Sequence, residues 1–119
     1  MGQTTITKGK KGEEAAVEFL QNLGYEVICR NYRFEHGEID IIAWDREVLV
    51  FVEVKLRRSR RFGIPEDSVT ARKQQHIRRA AEGFLYERGI QDVECRFDVV
   101  AIDEAHHPKN IRHYINAFP

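Results

Sequence analysis

Cysteine is scarce: only Cys29 and Cys95 occur in the 119 residues. Two thiols are too few for a disulfide framework or for a zinc site of clustered thiolates, so the cytoplasm is the expected compartment. Proline occurs three times, and no repeat, linker or low-complexity segment interrupts the chain. No apolar run approaches the roughly 18 residues of a membrane helix. The opening stretch MGQTTITKGKKGEE holds no apolar core of the kind a secretory signal needs. An excess of one charge sign is missing as well, because 19 Lys and Arg balance 19 Asp and Glu. What remains, 42% apolar and 32% charged residues, is the composition of one globular domain, which buries about two-thirds of its unfolded surface.

The zero net charge conceals an uneven distribution. Between Lys55 and Arg79 lie nine basic residues: Lys55, Arg57, Arg58, Arg60, Arg61, Arg72, Lys73, Arg78 and Arg79. Only Glu66 and Asp67 oppose them, so this segment carries +7 and the rest of the chain −7. Such a region suits a polyanion such as nucleic acid; the alternative is a solvated helix face beside an Arg-rich loop.

Residues 1–11 are polar, contain Lys8, Lys10 and Lys11, and read as a flexible basic arm ahead of a single domain over 12–119. Ala16, Phe19, Leu20 and Leu23 recur at helical spacing from Glu13, and Gly24 is a stop. Tyr25 to Arg33 reads as a strand. EIDIIAW (Glu38 to Trp44) and VLVFVEVKL (Val48 to Leu56) are rich in β-branched and aromatic residues and flank Asp45-Arg46-Glu47, the pattern of a hairpin. RRSRRFGIP is a loop. A helix is expected over Val69 to Arg88, with Val69, Lys73, Ile77, Ala80, Ala81, Phe84 and Leu85 on one face and Gly89 as its cap. Val93 to Ile102 reads as an interior strand and Ile111 to Ala117 as a short last one. The order α-β-β-β-α-β-β defines an α/β domain with a mixed sheet flanked by helices.

The chemistry is concentrated in the hairpin. Side chains alternate along a strand, so Glu53 and Lys55 share a face. With Arg46 and Glu47 at the turn, Asp40 falls opposite Glu53, and directly opposed Cβ atoms lie roughly 4.5–5.5 Å apart. Glu38 lies on the Asp40 face. Carboxylates set side by side repel unless a cation joins them. Lys55 alone satisfies them as a structural ion pair. A divalent cation satisfies them functionally, since Mg²⁺ is held by one or two carboxylates plus phosphate oxygens. In that case Lys55 orients water and offsets charge that develops in phosphodiester hydrolysis. Helical phase adds Glu13: it precedes Ala16 by three residues and Leu20 by seven, so it joins the buried stripe, while Glu14 falls with Glu18 and Gln21 on the wet face. A first-turn carboxylate is favoured by the helix dipole and needs a partner if it is dry.

These segments resemble the YraN-like family of small bacterial proteins, which is similar to the archaeal Holliday junction resolvases and belongs to the restriction-endonuclease-like PD-(D/E)xK superfamily. The matching pieces are GEEAA and LGY in the first helix, Arg30-Asn31, GEIDIIA, VFVEVK, the RR…FG loop, Lys73, RFDVV and the closing NAF. The resemblance implies an αβββαβ nuclease core. It implies a site for Mg²⁺ or Mn²⁺ at Asp40 and Glu53, with Lys55 as catalytic lysine and Glu13 as the helix carboxylate. Ile39, where the superfamily pattern has Pro, is a departure that leaves Asp40 in place. The related resolvases act as symmetric pairs, so a homodimer is the corresponding expectation.

Other reactive residues read as structural. His76 belongs to a solvated helix face, and His106, His107 and His113 lack the partners a metal site needs. Cys29 and Cys95 read as buried apolar residues. Asp98 pairs with Arg96 or another arginine. Trp44 reads as core. The resulting reading is a DNA-binding, metal-dependent endonuclease without a membrane segment. Its catalytic residues are Glu13, Asp40, Glu53 and Lys55, and Arg57, Arg58, Arg60, Arg61 and Lys73 hold the phosphate backbone. No element reads as a base-reading helix, so branched or flapped DNA is the expected substrate rather than a specific sequence. The alternatives are a non-catalytic nucleic-acid-binding or adaptor module that keeps the fold, and a protein-interaction domain with a basic face.

Overall fold

The computed structural model describes residues 8–57, 69–104 and 110–119, with side chains from Gly12 onward. Helix α1 (Lys8–Asn22) is followed by strands β1 (Glu26–Phe34), β2 (Gly37–Asp45) and β3 (Val48–Arg57). Helix α2 (Ala71–Arg88) and strands β4 (Glu94–Asp103) and β5 (Asn110–Phe118) complete the order. Helix α1 begins at Lys8, five residues earlier than the apolar periodicity indicates, because the first turns carry lysines rather than core residues.

The five strands form one sheet in the order β1-β2-β3-β4-β5. Neighbours are antiparallel except β3 and β4, which run parallel and are joined through α2. A parallel pair requires such a crossover. The β2–β3 hairpin pairs Asp45 with Val48 and Ile41 with Val52, the register expected from a turn at Arg46 and Glu47. Arg46 takes φ 59°, as a two-residue turn between right-twisted strands demands.

Each face of the sheet has its own core. Ala16 and Leu20 of α1 pack on Ile41, Ala43, Val50, Val52, Val100 and Ile102. Ile77, Ala80, Ala81 and Phe84 of α2 pack on Ile42, Leu49, Phe51 and Val99. Burying a side chain of this size stabilises the fold by about 1.5–3 kcal/mol. Helix α2 is capped at its start by Thr70, whose hydroxyl accepts the Lys73 N–H at 3.1 Å. It ends at Gly89, which adopts φ 64° and whose N–H reaches the carbonyls of Leu85 and Tyr86.

Two local features position the site. At Gly37 the β1–β2 turn meets α2 so closely that an added Cβ would collide with the His76 carbonyl oxygen. The ion pair of Glu35 with Arg79, 2.9 Å, ties the same turn to the helix. The second feature is a break in the pleat. Asn31 takes a left-handed backbone, φ 54°, which Asn tolerates well. On either side of it, Arg30 reaches Glu14 of α1 at 3.7 Å while Tyr32 packs edge-on against Phe84 of α2. On β2 the exchange is mirrored, with Ile39 in the α2 core and Ile41 in the α1 core. Asp40 occupies the point where the faces exchange.

Candidate active site

The β2–β3 pairing runs only as far as Ile41 and Val52. Beyond it, the Val54 N–H donates to Asp40 Oδ2 at 2.8 Å, so a carboxylate takes the place of a backbone acceptor. This bond anchors Asp40 beside Glu53, which is buried at 5% exposure although charged. Burial raises the Asp40 pKa, and the charges of Glu53, Glu13 and Glu38 push it further, to about 7 against the bond from Val54. Two carboxylates are thus held together at the edge of the core, where both cannot be charged cheaply without a cation.

Two lysines answer that charge. Lys55 Nζ lies 3.6 Å from Glu53 Oε2, and Lys73 Nζ, arriving from α2, lies 2.6 Å from the same oxygen. Burial lowers the Lys55 pKa, and the neighbouring Lys73 charge adds to that effect, while Glu53 opposes both. Burial also works against the Lys73 charge, but the hydrogen bond and charge of Glu53 prevail and raise its pKa. The difference follows the distances: the closer ammonium takes most of the stabilisation. Asp40, Glu53 and Lys73 face an open cavity of about 380 Å³, with Glu38, His36, Arg72 and His76 on its walls.

Glu13 contributes from the opposite helix. Its Oε1 atom is buried, and its charge reaches Asp40, so the carboxylate expected from helical phase belongs to the same electrostatic cluster. Arg57 ends β3 two residues beyond Lys55. Arg58, Arg60 and Arg61 lie outside the described residues. Lys73, expected on the phosphate-binding face, is found inside the carboxylate cluster. His76, read from sequence as a solvated helix residue, lines the cavity with its ring centroid 5.8 Å from that of His36. The signal for His36 is its place beside Gly37, since a turn pinned against a helix carries its neighbours to that helix.

Among the described residues, no three His, Cys, Asp or Glu side chains gather closely enough to enclose a metal by themselves. The donor set therefore does not suit a closed calcium or zinc cage. Asp40 and Glu53 are a pair of hard oxygen donors, the ligand type that a hard divalent cation takes. The ammonium against Glu53 marks where positive charge is stabilised.

On the other face of the sheet, Asp98 is fully buried and accepts from Arg96 Nε at 3.0 Å and the Asn116 N–H at 2.9 Å. His113 Nε2 is 2.7 Å from its other oxygen. Arg96 continues to Asp45 at 3.1 Å and to the Tyr25 hydroxyl at 2.6 Å. Burial alone would raise the Asp98 pKa, but His113, Arg96 and the backbone bond outweigh it and the net shift is downward. The pairing with Arg96 is the one expected from the strand face. The part played by His113 has no counterpart in the sequence pattern. Cys29 and Cys95 are only half-buried rather than fully inside. Trp44 packs at the margin of the α2-side core.

The sequence model of Uncharacterised protein family UPF0102 matches residues 12–102. A UPF0102 protein of Symbiobacterium thermophilum is 54% identical over 95 residues, covering 80% of each chain. One of Desulforamulus reducens is 46% identical over 113 residues, covering 92% of this chain and 93% of its own. One of Geobacter sulfurreducens is 45% identical over 111 residues, covering 92% and 87% respectively. The matched span contains every element of the carboxylate cluster, and the chain belongs to the UPF0102 family, the YraN-like proteins that its motifs resemble.

Proposed function

We propose that this protein is a divalent-metal-dependent nuclease of the restriction-endonuclease-like type, resembling the Holliday junction resolvases, that acts on DNA by structure rather than by sequence. The observation that carries this reading is the pair Asp40 and Glu53, brought together where β2 and β3 separate, in an open cavity served by two lysines. Asp40 and Glu53 would hold Mg²⁺ or Mn²⁺, which when bound supplies a lowered water pKa and neutralises phosphate charge. Lys55 projects from the same strand face as Glu53 and orients water at the scissile phosphate. Glu13 adds negative charge behind Asp40 and so strengthens the attraction for a cation. Arg57 and the arginines of the following loop hold the flanking phosphates without reading bases. A homodimer would present two such sites to the two strands of a junction.

The test is a cleavage screen of linear duplex, single-stranded, flapped and four-way DNA, with and without Mn²⁺. Wild type is expected to cut a branched substrate in the presence of the metal, and Asp40→Asn to cut none. A second reading has an observation of its own in the Lys73–Glu53 pair, which leaves Glu53 neutralised without any metal. That favours a binding module that keeps the fold. Tight, steeply salt-dependent DNA binding with no cleavage of any substrate would establish it.

A further inference from the structure

We infer that Lys73 is a built-in counter-ion that holds Glu53 in the metal-free protein and passes to a substrate phosphate oxygen when a divalent cation takes that carboxylate. This rests on the metal-site reading above and gives Lys73 a position at the reacting phosphate rather than on the outer basic face.

The geometry singles out Lys73. Its Nζ is 2.6 Å from Glu53 Oε2, a full ångström closer than Lys55, and no bridging water fits in that distance. Glu53 is buried, so a close counter-charge on its carboxylate is strongly favoured. A divalent cation that takes Glu53 Oε2 needs the place that the Lys73 ammonium holds at 2.6 Å, and two positive charges that close repel. Binding of either therefore displaces the other, and the coupling is reciprocal.

The lysine is built to move. Its backbone is fixed, because its N–H is bonded to the Thr70 hydroxyl at 3.1 Å. Its side chain is 43% exposed, on a four-carbon stem with three donors. Both Asp40 and Glu53 attract it, and it lines the cavity that contains both. Released from Glu53, the ammonium remains on that wall, beside the position a phosphodiester must occupy to reach the same carboxylates through a metal. Lys55 differs: it is less exposed, at 19% for its side chain, and its strand holds it next to Glu53 in either state.

The deciding experiment is calorimetric titration of Mn²⁺, without DNA, into wild type, Lys73→Met, Lys73→Arg and Asp40→Asn. Lys73→Met keeps the aliphatic stem and removes the competitor, so its Mn²⁺ affinity should rise roughly three- to thirtyfold. Lys73→Arg keeps the charge and should stay within about twofold of wild type. Thermal melting should show a larger Mn²⁺-induced rise for Lys73→Met than for wild type. Equal affinities for wild type and Lys73→Met, with binding lost in Asp40→Asn, would overturn the role of Lys73 and leave the metal site standing. No Mn²⁺ binding by any variant would overturn both. Wild type alone supplies a second measurement that needs no variant to fold. The ¹⁵N resonance of the Lys73 ammonium, followed during Mg²⁺ titration, should lose the signature of its hydrogen bond to Glu53, and an unmoved resonance refutes the exchange.

Discussion

Replacing Asp40 with Asn should make the metal-free protein more stable above neutral pH, although it removes a residue central to the proposed activity. The Asp40 carboxyl is raised from the ordinary 3.8 to about 7 by burial, then by the charges of Glu53, Glu13 and Glu38. Because the folded state holds this proton more tightly than the unfolded chain, the contribution is fully present below the unfolded value. It is lost as pH rises through about 7. At ~1.36 kcal/mol per unit, ionising Asp40 in the fold costs ~2–4 kcal/mol, the lower figure allowing for repulsion shared with Glu53. An Asn oxygen still accepts the Val54 N–H, so the anchoring bond survives while the charge does not. The assay is urea unfolding in chelator across the range from about pH 5 to about pH 9. Wild type should lose stability on going up that range, Asp40→Asn should lose less, and the gap should reach ~2–4 kcal/mol at the alkaline end. Adding Mn²⁺ at about a hundredfold excess over its Kd should return ~2.7 kcal/mol to wild type and little to the variant. If Asp40→Asn in chelator is no more stable than wild type at the alkaline end, the carboxylate pair is not strained and the electrostatic basis of the site is wrong.

Lys55→Met should lower single-turnover cleavage by a factor on the order of 100–1000 while Mn²⁺ binding persists; an unchanged rate would remove Lys55 from the chemistry. Asp98→Asn should cost ~3–5 kcal/mol in urea unfolding, because Arg96 and His113 lose a buried counter-charge. The depressed Asp98 pKa makes its contribution one that is present above the unfolded value and lost as pH falls through the folded one. A loss below about 1 kcal/mol would show that Arg96 relies on Asp45 instead. Changing Arg57, Arg58, Arg60 and Arg61 together to Ala should weaken binding to all DNA sequences alike. The slope of log affinity against log salt should flatten by about one unit for each phosphate no longer neutralised, and an unaltered slope would move the binding face elsewhere.

The strands and the faces they present were legible in the sequence because alternation is a local property. VFVEVK puts Glu53 and Lys55 on one side whatever surrounds them, and the Arg46-Glu47 turn sets the register, Ile41 against Val52, that leads directly into Asp40 and Glu53. The stripe from Ile77 to Phe84 and the cap at Gly89 were equally visible, as helical phase and backbone freedom are written in neighbouring residues. Only the tertiary structure decided which faces meet. Lys73 reaches Glu53 because α2 lies across the sheet, 20 residues away in the chain, and its position on the helix would equally have suited an outward basic face. The pleat exchange at Asn31 and Asp40 sends Ile39 and Ile41 to different cores, against the alternation that holds elsewhere in the strand. The raised Asp40 pKa and the Asp98–His113 contact are likewise products of burial. Burial is a property of packed layers, and local periodicity specifies which surface is apolar without specifying what covers it.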